Sequence, residues 1–382
     1  MKEYVKLAEW SIIEDKLISS KNKISESIFS IGNGFMGQRA NFEENYSGES
    51  LQGNYLGGVY YPDKTRVGWW KNGYPEYFAK IINATNWIGI DVSIEGERLD
   101  LNKCIIENFK RELNMYDGIL SRTVDATLAS GKKIRLTTRR FISIVEKDLG
   151  AIEYSIEALN FTGKIEFNSY LDGDVVNSDS NYDEMFWIEL DKNADISNSY
   201  LHNKTKKTGF EVCTAMHNNL INDRNENVKA NIESSSKEHY IAHKFSFNIA
   251  KDEKITLQKY VSIVSSLYAG TSELTSKATE NVQKHAKKGF DQLLKDHSTA
   301  WHSKWEESDI KIGGDLSAQQ AIRFNIFQLY QTYTGENENL NIGPKGFTGE
   351  KYGGVTYWDT EAYCLPFYMR TADHSVARNL LK

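Results

Sequence analysis

The chain has 382 residues, 40% hydrophobic and 26% charged, which is the composition of a folded globular protein long enough for roughly two to three domains. Lys and Arg number 46 against 52 Asp and Glu, and the resulting net charge of -6 gives no electrostatic reason to hold nucleic acid; no apolar run approaches the ~20 residues that cross a bilayer. The first residues, MKEYVKLAEWSIIEDK, lack the apolar stretch of a signal peptide, and the three cysteines (Cys104, Cys213, Cys364) are odd in number and scattered, so the expectation is a cytoplasmic protein with reduced thiols.

Most of the first 270 residues fall into short β-branched and aromatic segments separated by Gly, Asn and Asp turns. Asn86 to Ile94, Lys133 to Ile142, Gly150 to Ala158 and Lys254 to Ser262 read as strands. In His243 to Ile249, alternation puts Phe245, Phe247 and Ile249 on one face. The prediction is one large antiparallel two-sheet β-sandwich over residues 1–270.

The period then changes. Leu274, Ala278, Val282 and Ala286, then Leu293, Leu294, Trp301 and Trp305, recur at helical steps, which predicts a helical linker over 271–314, broken near Gly289. After Gly313-Gly314, Ser317 is the expected N-cap of a helix carrying Ile322, Ile326, Leu329, Tyr330 and Tyr333. Residues 315–382 thus read as the start of a helical domain. A toroid of twelve helices needs roughly 200 residues. Only 67 residues follow Asp315, so an incomplete barrel is expected, with Leu365, Phe367, Leu380 and Leu381 exposed.

Two motifs invite a cofactor or metal and are better read otherwise. Gly32-Asn33-Gly34-Phe35-Met36-Gly37 matches GxGxxG, but that fingerprint requires a helix opening at its glycines, and QRANFEENYSGES has no helical apolar period. A turn is expected. His239 and His243 have the i, i+4 spacing of a helical zinc site, yet their segment reads as a strand, where they lie ~13 Å apart, too far to share an ion. Glu306, Glu307, Asp309 and Asp315 read as solvated acids.

The segment Asn341 to Met369, NIGPKGFTGEKYGGVTYWDTEAYCLPFYM, combines a five-glycine loop with Tyr352, Tyr357, Trp358, Asp359, Glu361 and Tyr363. Sugars offer apolar C–H faces and rims of hydroxyls, and an aromatic platform beside carboxylates matches both. The alternative is a buried tryptophan next to a helix-capping aspartate, since Asp-Thr-Glu is also a helix-start pattern.

GPKGFTGEKYGGVTYWDTEAYCLPFYM, with SIGNGFMGQRANFEE (30–44), NATNWIGI (83–90), Trp301, Trp305 and QQAIRFNIFQL (319–329), resembles glycoside hydrolase family 65 along essentially the whole chain. The wording is nearer the maltose-cleaving members than the kojibiose- or trehalose-cleaving ones. The resemblance implies a β-sandwich, a helical linker and an (α/α)6-barrel catalytic domain. It implies inverting phosphorolysis of an α-glucosyl disaccharide to glucose and β-D-glucose 1-phosphate, with inorganic phosphate as co-substrate, no metal or organic cofactor, and a homodimer. By position Trp358 and Asp359 match the residues that hold the glucosyl unit; Tyr357, Glu361 and Lys345 are weaker candidates for substrate binding. The family's general acid, a glutamate in a GPDEY-like motif, does not occur in these residues and is expected beyond Lys382, so no catalytic residue is assigned here.

Overall fold

The computed structural model describes residues 4–64, 76–178, 184–350 and 357–382. β-Branched and aromatic segments pair into a nine-stranded antiparallel sheet, in the spatial order Ser11–Glu14, Ile105–Asn114, Ile119–Thr127, Lys133–Ile142, Leu149–Ala158, Lys254–Ser265, Glu211–Asn222, Ser199–Thr205 and Trp187–Asn193. A second sheet orders Asn231–Lys237, Tyr240–Ile249, Gly163–Asp172, Ile90–Ile94 and Glu97–Arg98. The two face each other across one core: Tyr154 meets Phe167 edge to face at 5.8 Å, and Phe245, Phe247 and Ile249 are buried as their alternation requires. Lys259 crosses that interface. Its Nζ donates to the carbonyls of Gly89 (3.0 Å) and Tyr170 (2.7 Å), and burial holds its pKa well below the ordinary lysine value.

Two features of the β region differ from expectation. A third sheet, Ile31–Gly32, Met36–Gln38, Asn54–Lys64 and Tyr77–Asn83, joins the two expected ones; its first strands have only two or three residues, too short to show a period. The strand expected from Asn86 begins at Ile90, because Asn86 makes only an isolated bridge to Asp172 and Trp87 is buried with its ring against Gly150.

Helix α1 (Asn22–Ile28) precedes the third sheet, and α2 (Leu274–Lys288) and α3 (Phe290–Ser308) follow the last strand. Gly289, at φ 81°, breaks α2 from α3, a conformation glycine adopts without steric cost. Helix α2 buries Leu274, Ala278 and Val282 in one cluster with Phe141, Ala151, Cys213 and Tyr260 of the nine-stranded sheet. Helix α3 buries Leu293, His297, Trp301 and Trp305, and Trp305 Nε1 donates to the Met115 carbonyl at 2.9 Å. The linker is therefore fastened to the sandwich.

In α4 (Leu316–Thr332) the cap is Asp315, whose carboxylate accepts from the Ala318 amide at 3.0 Å; the expected cap, Ser317, is already inside the first turn. Asp315 has the extended backbone an N-cap needs. Trp301 stacks on Phe327 (4.7 Å), and Gln320 donates to the carbonyls of Lys6 (2.9 Å) and Ser11 (2.8 Å), tying α4 to α3 and to the first strand. Helices α5 (Leu365–Thr371) and α6 (His374–Leu380) fold back on the end of α4, through Tyr330 Oη to Thr371 O (2.9 Å) and Tyr368 Oη to Leu329 O (2.7 Å). That contact corrects the expected exposure: Leu365, Phe367 and Leu380 are half-buried against Tyr333, Tyr368 and Ala377, while Leu381 is exposed. Among the described residues no helix is long and apolar enough to cross a membrane.

Candidate functional site

The loop of residues 341–350 is seated on the third sheet. Phe347 is buried with Tyr55 and Ile81, and it lies over Gly32 and Gly37; a Cβ on Gly37 would fall 2.2 Å from both Cβ and Cγ of Phe347. The GxGxxG glycines thus serve a hairpin turn and a close approach. Asn33 Oδ1 accepts from the amides of Phe35 and Met36 (both 3.0 Å), closing the turn as expected. Beyond Phe347, the Thr348 carbonyl accepts from Ser27 Oγ (3.0 Å) and from Arg39, and Asn83 Nδ2 donates to the buried Glu350 carboxylate at 3.1 Å. At the other end Tyr60 Oη donates to Asn341 Oδ1 at 3.0 Å.

The neighbouring acids of the NFEE stretch are structural. Glu43 and Glu44 lie against Arg122 at 2.8 and 2.5 Å, and Glu43 also meets Arg140 at 2.9 Å, all four side chains nearly inaccessible. Burial works against the Arg122 charge, but Glu44 and Glu43 outweigh it and hold the guanidinium pKa above its usual value. These carboxylates are committed to cations and are poor candidates for acid or base work.

The candidate sugar-binding residues sit where α5 is entered. Thr360–Cys364 forms a single π-helical turn, a distortion frequent at functional sites. Trp358 is 72% exposed and Tyr363 70%, with Tyr357, Asp359 and Glu361 also exposed. The alternative reading of a buried tryptophan beside a capping aspartate fails on both counts, since Asp359 makes no side-chain cap hydrogen bond. A large indole left in water beside two carboxylates that, among the described residues, make no ion pair is the unusual observation. Thr360, between them, is buried. Burial, then the charges of Asp359 and Glu361, push the Cys364 thiol pKa up, which disfavours the reactive thiolate.

Tyr357, Trp358, Asp359 and Glu361 are brought together by this turn. Lys345 is exposed on the preceding loop, where its carbonyl accepts from the Thr348 amide (2.9 Å) and hydroxyl (2.8 Å); among the described residues its ammonium makes no ion pair with Asp359 or Glu361. Tyr352 lies outside the described residues. His239 is in the tight turn before its strand rather than in it, and His243 is buried with Nδ1 at 3.3 Å from the Asn218 amide and Nε2 at 3.2 Å from the Ala194 carbonyl. Among the described residues no three His, Cys, Asp or Glu side chains cluster as metal ligands would. Of Glu306, Glu307, Asp309 and Asp315, Asp309 pairs with Arg323 at 2.8 Å and Asp315 caps α4.

Sequence reasoning missed Tyr60, Asn83, Arg39 and Thr360, the residues that seat the loop and its following turn. Arg39, Asn83 and Thr360 fall inside the stretches 30–44, 83–90 and 343–369, singled out by resemblance with no role attached to these three.

A β-sandwich fastened through two helices to an α-helical segment that exposes an indole beside carboxylates defines a two-part β and α protein with a sugar-compatible surface. The model of the Glycosyl hydrolase family 65, N-terminal domain, matches residues 12–304, and that of the Glycosyl hydrolase family 65 central catalytic domain matches 323–382. The chain belongs to glycoside hydrolase family 65. It is 44% identical over 378 residues to a maltose phosphorylase of Bacillus subtilis (strain 168), covering 98% of this chain and 48% of that protein. It is 31% identical over 378 residues to an alpha,alpha-trehalose phosphorylase of Thermoanaerobacter brockii, covering 95% and 48%. A solved chain described as a candidate kojibiose phosphorylase from human microbiome superposes with a TM-score of 0.90 at 29% identity, covering 100% of this chain and 49% of that one. The chain spans about half the length of the curated relatives it matches.

Proposed function

We propose that these residues form the sandwich, linker and glucosyl-binding entry of an inverting maltose phosphorylase in the cytoplasm. It converts maltose and phosphate to glucose and β-D-glucose 1-phosphate. Trp358 supplies the platform for the apolar face of the glucosyl ring, and Asp359 accepts hydrogen bonds from its hydroxyls, with Tyr357, Glu361 and Lys345 as secondary contacts. An inverting glycosidase needs a general acid and a base that activates water; phosphate is itself an anionic nucleophile, so a phosphorylase needs only the acid. That acid is the glutamate expected beyond Lys382. Phosphate is the co-substrate, neither a metal nor an organic cofactor takes part, and the working protein is a homodimer.

The observation that carries the reading is the exposed Trp358 beside an uncapped Asp359 within the matched catalytic domain. Identity of 44% to the maltose phosphorylase, against 31% and 29% to trehalose and kojibiose relatives, supports maltose. Calorimetric titration tests it: the chain is expected to bind maltose, Trp358→Ala to weaken binding roughly tenfold, and Asp359→Asn to weaken it as well. Equal affinity in wild type and Trp358→Ala would sink the assignment.

A further inference from the structure

We propose that the third sheet is itself part of the sugar site, with Tyr60 and Thr360 acting as positioning residues for the Trp358–Asp359 pair. The inference rests on the reading of that pair as the glucosyl-binding element.

Trp358, with most of its surface in water, has few packed neighbours to set its place, so its position is inherited from its backbone. That backbone is closed around one buried residue. The Thr360 amide donates to the Tyr357 carbonyl and the Ala362 amide to the Trp358 carbonyl, both at 3.0 Å. Thr360 is 6% exposed while Trp358, Asp359 and Glu361 on either side face solvent, and its hydroxyl donates to the Ile342 carbonyl at 3.4 Å. A β-branched residue is a weak helix former, so a threonine at the head of this turn is explained by what its hydroxyl reaches.

Ile342 is in turn fixed from the other side. It is buried, and its neighbour Asn341 accepts the hydrogen bond from Tyr60 Oη. Tyr60 belongs to the strand Asn54–Lys64, opposite Ile81 in the third sheet. A contiguous route therefore runs from a strand of the third sheet through Tyr60, Asn341, Ile342 and Thr360 to the two residues that meet the sugar. Moving any link shifts the turn that carries both the indole and the carboxylate.

Maltose titrations followed by calorimetry, with thermal unfolding alongside, test this on the 382-residue chain. Tyr60→Phe and Thr360→Val are each expected to weaken binding about fivefold while the unfolding temperature stays near wild type, Thr360→Ser to bind as wild type, and the double variant to be no weaker than the worse single one. Wild-type affinity in Tyr60→Phe, or losses in affinity that simply follow losses in melting temperature, would overturn the positioning role and leave the glucosyl reading standing. No binding by the wild-type chain would overturn both.

Discussion

Gly37→Ala adds one methyl group and tests how tightly the 341–350 loop is keyed into the third sheet. Its backbone is not left-handed, so alanine meets no φ penalty and the effect is steric alone. The new Cβ falls 2.2 Å from Phe347 Cβ and Cγ and 2.6 Å from Cδ2, whereas carbon contacts settle near 3.5–4.0 Å; the ring must retreat by more than an ångström from a site it shares with Tyr55 and Ile81. Overpacking a well-filled site costs about 1–3 kcal/mol, and losing the burial of a phenylalanine costs a similar amount, so a destabilisation of about 2–3 kcal/mol is expected. Urea unfolding measures it, and amide exchange of the 341–350 peptides should quicken at the same time. Gly270→Ala is the control: its φ of -62° suits alanine and its Cβ meets open space, so it should be neutral or gain a few tenths of a kcal/mol. Phe347→Gly should absorb the added methyl, making the double variant less destabilised than the sum of the singles. If Gly37→Ala unfolds at the wild-type urea midpoint, the loop is not keyed into the sheet by this contact.

Glu43→Ala would leave Arg122 and Arg140 buried around a lost carboxylate and should destabilise by about 3–5 kcal/mol in urea, far more than removal of an exposed acid such as Glu307. Asp315→Ala should cost about 1 kcal/mol by removing the α4 cap, while Ser317→Ala changes little, and chemical unfolding of the two variants decides between the caps. Burial pushes His297 and His243 down to about 4, outweighing the carbonyls of Gly118 and Ala194 that work the other way; His297 Nδ1 accepts from the Ile144 amide (3.2 Å), and its Nε2 donates to the Gly118 carbonyl (3.0 Å). Their unfolded-state pKa is ~6.5, so the unfolded chain takes up the protons first. Stability is complete above about pH 6.5 and falls as pH drops toward 4, by about 2–3 kcal/mol per histidine. Urea midpoints unchanged between pH 7 and pH 5 would contradict this. Phosphate-dependent release of glucose from maltose should be undetectable for the 382-residue chain, and a robust rate would refute placing the general acid outside these residues.

Periodicity in the sequence determined the element types because burial leaves a repeating mark on a single strand or helix. The alternation of Phe245, Phe247 and Ile249, the helical steps from Leu274 to Trp305 and the break at Gly289 each reflect a local segment meeting one apolar surface. Trp358 beside Asp359 stands out without tertiary information because adjacent residues are seen together in the sequence, while the glucosyl-binding role given to them comes from the family resemblance. What the tertiary structure alone decided is pairwise and non-local. Whether Trp358 is buried or exposed depends on what covers it, and no local pattern states that. The third sheet escaped notice because strands of two or three residues have no period, and the purpose of Gly32 and Gly37 lies in Phe347, some three hundred positions away, whose ring needs the space a side chain would fill. Tyr60, Asn83 and Thr360 are ordinary polar residues in sequence. They acquire a role only when folding brings strands of the third sheet within 3.0–3.1 Å of the 341–350 loop and the Thr360 hydroxyl within 3.4 Å of it, because a hydrogen bond is defined by the distance between its partners and leaves no trace in either segment alone.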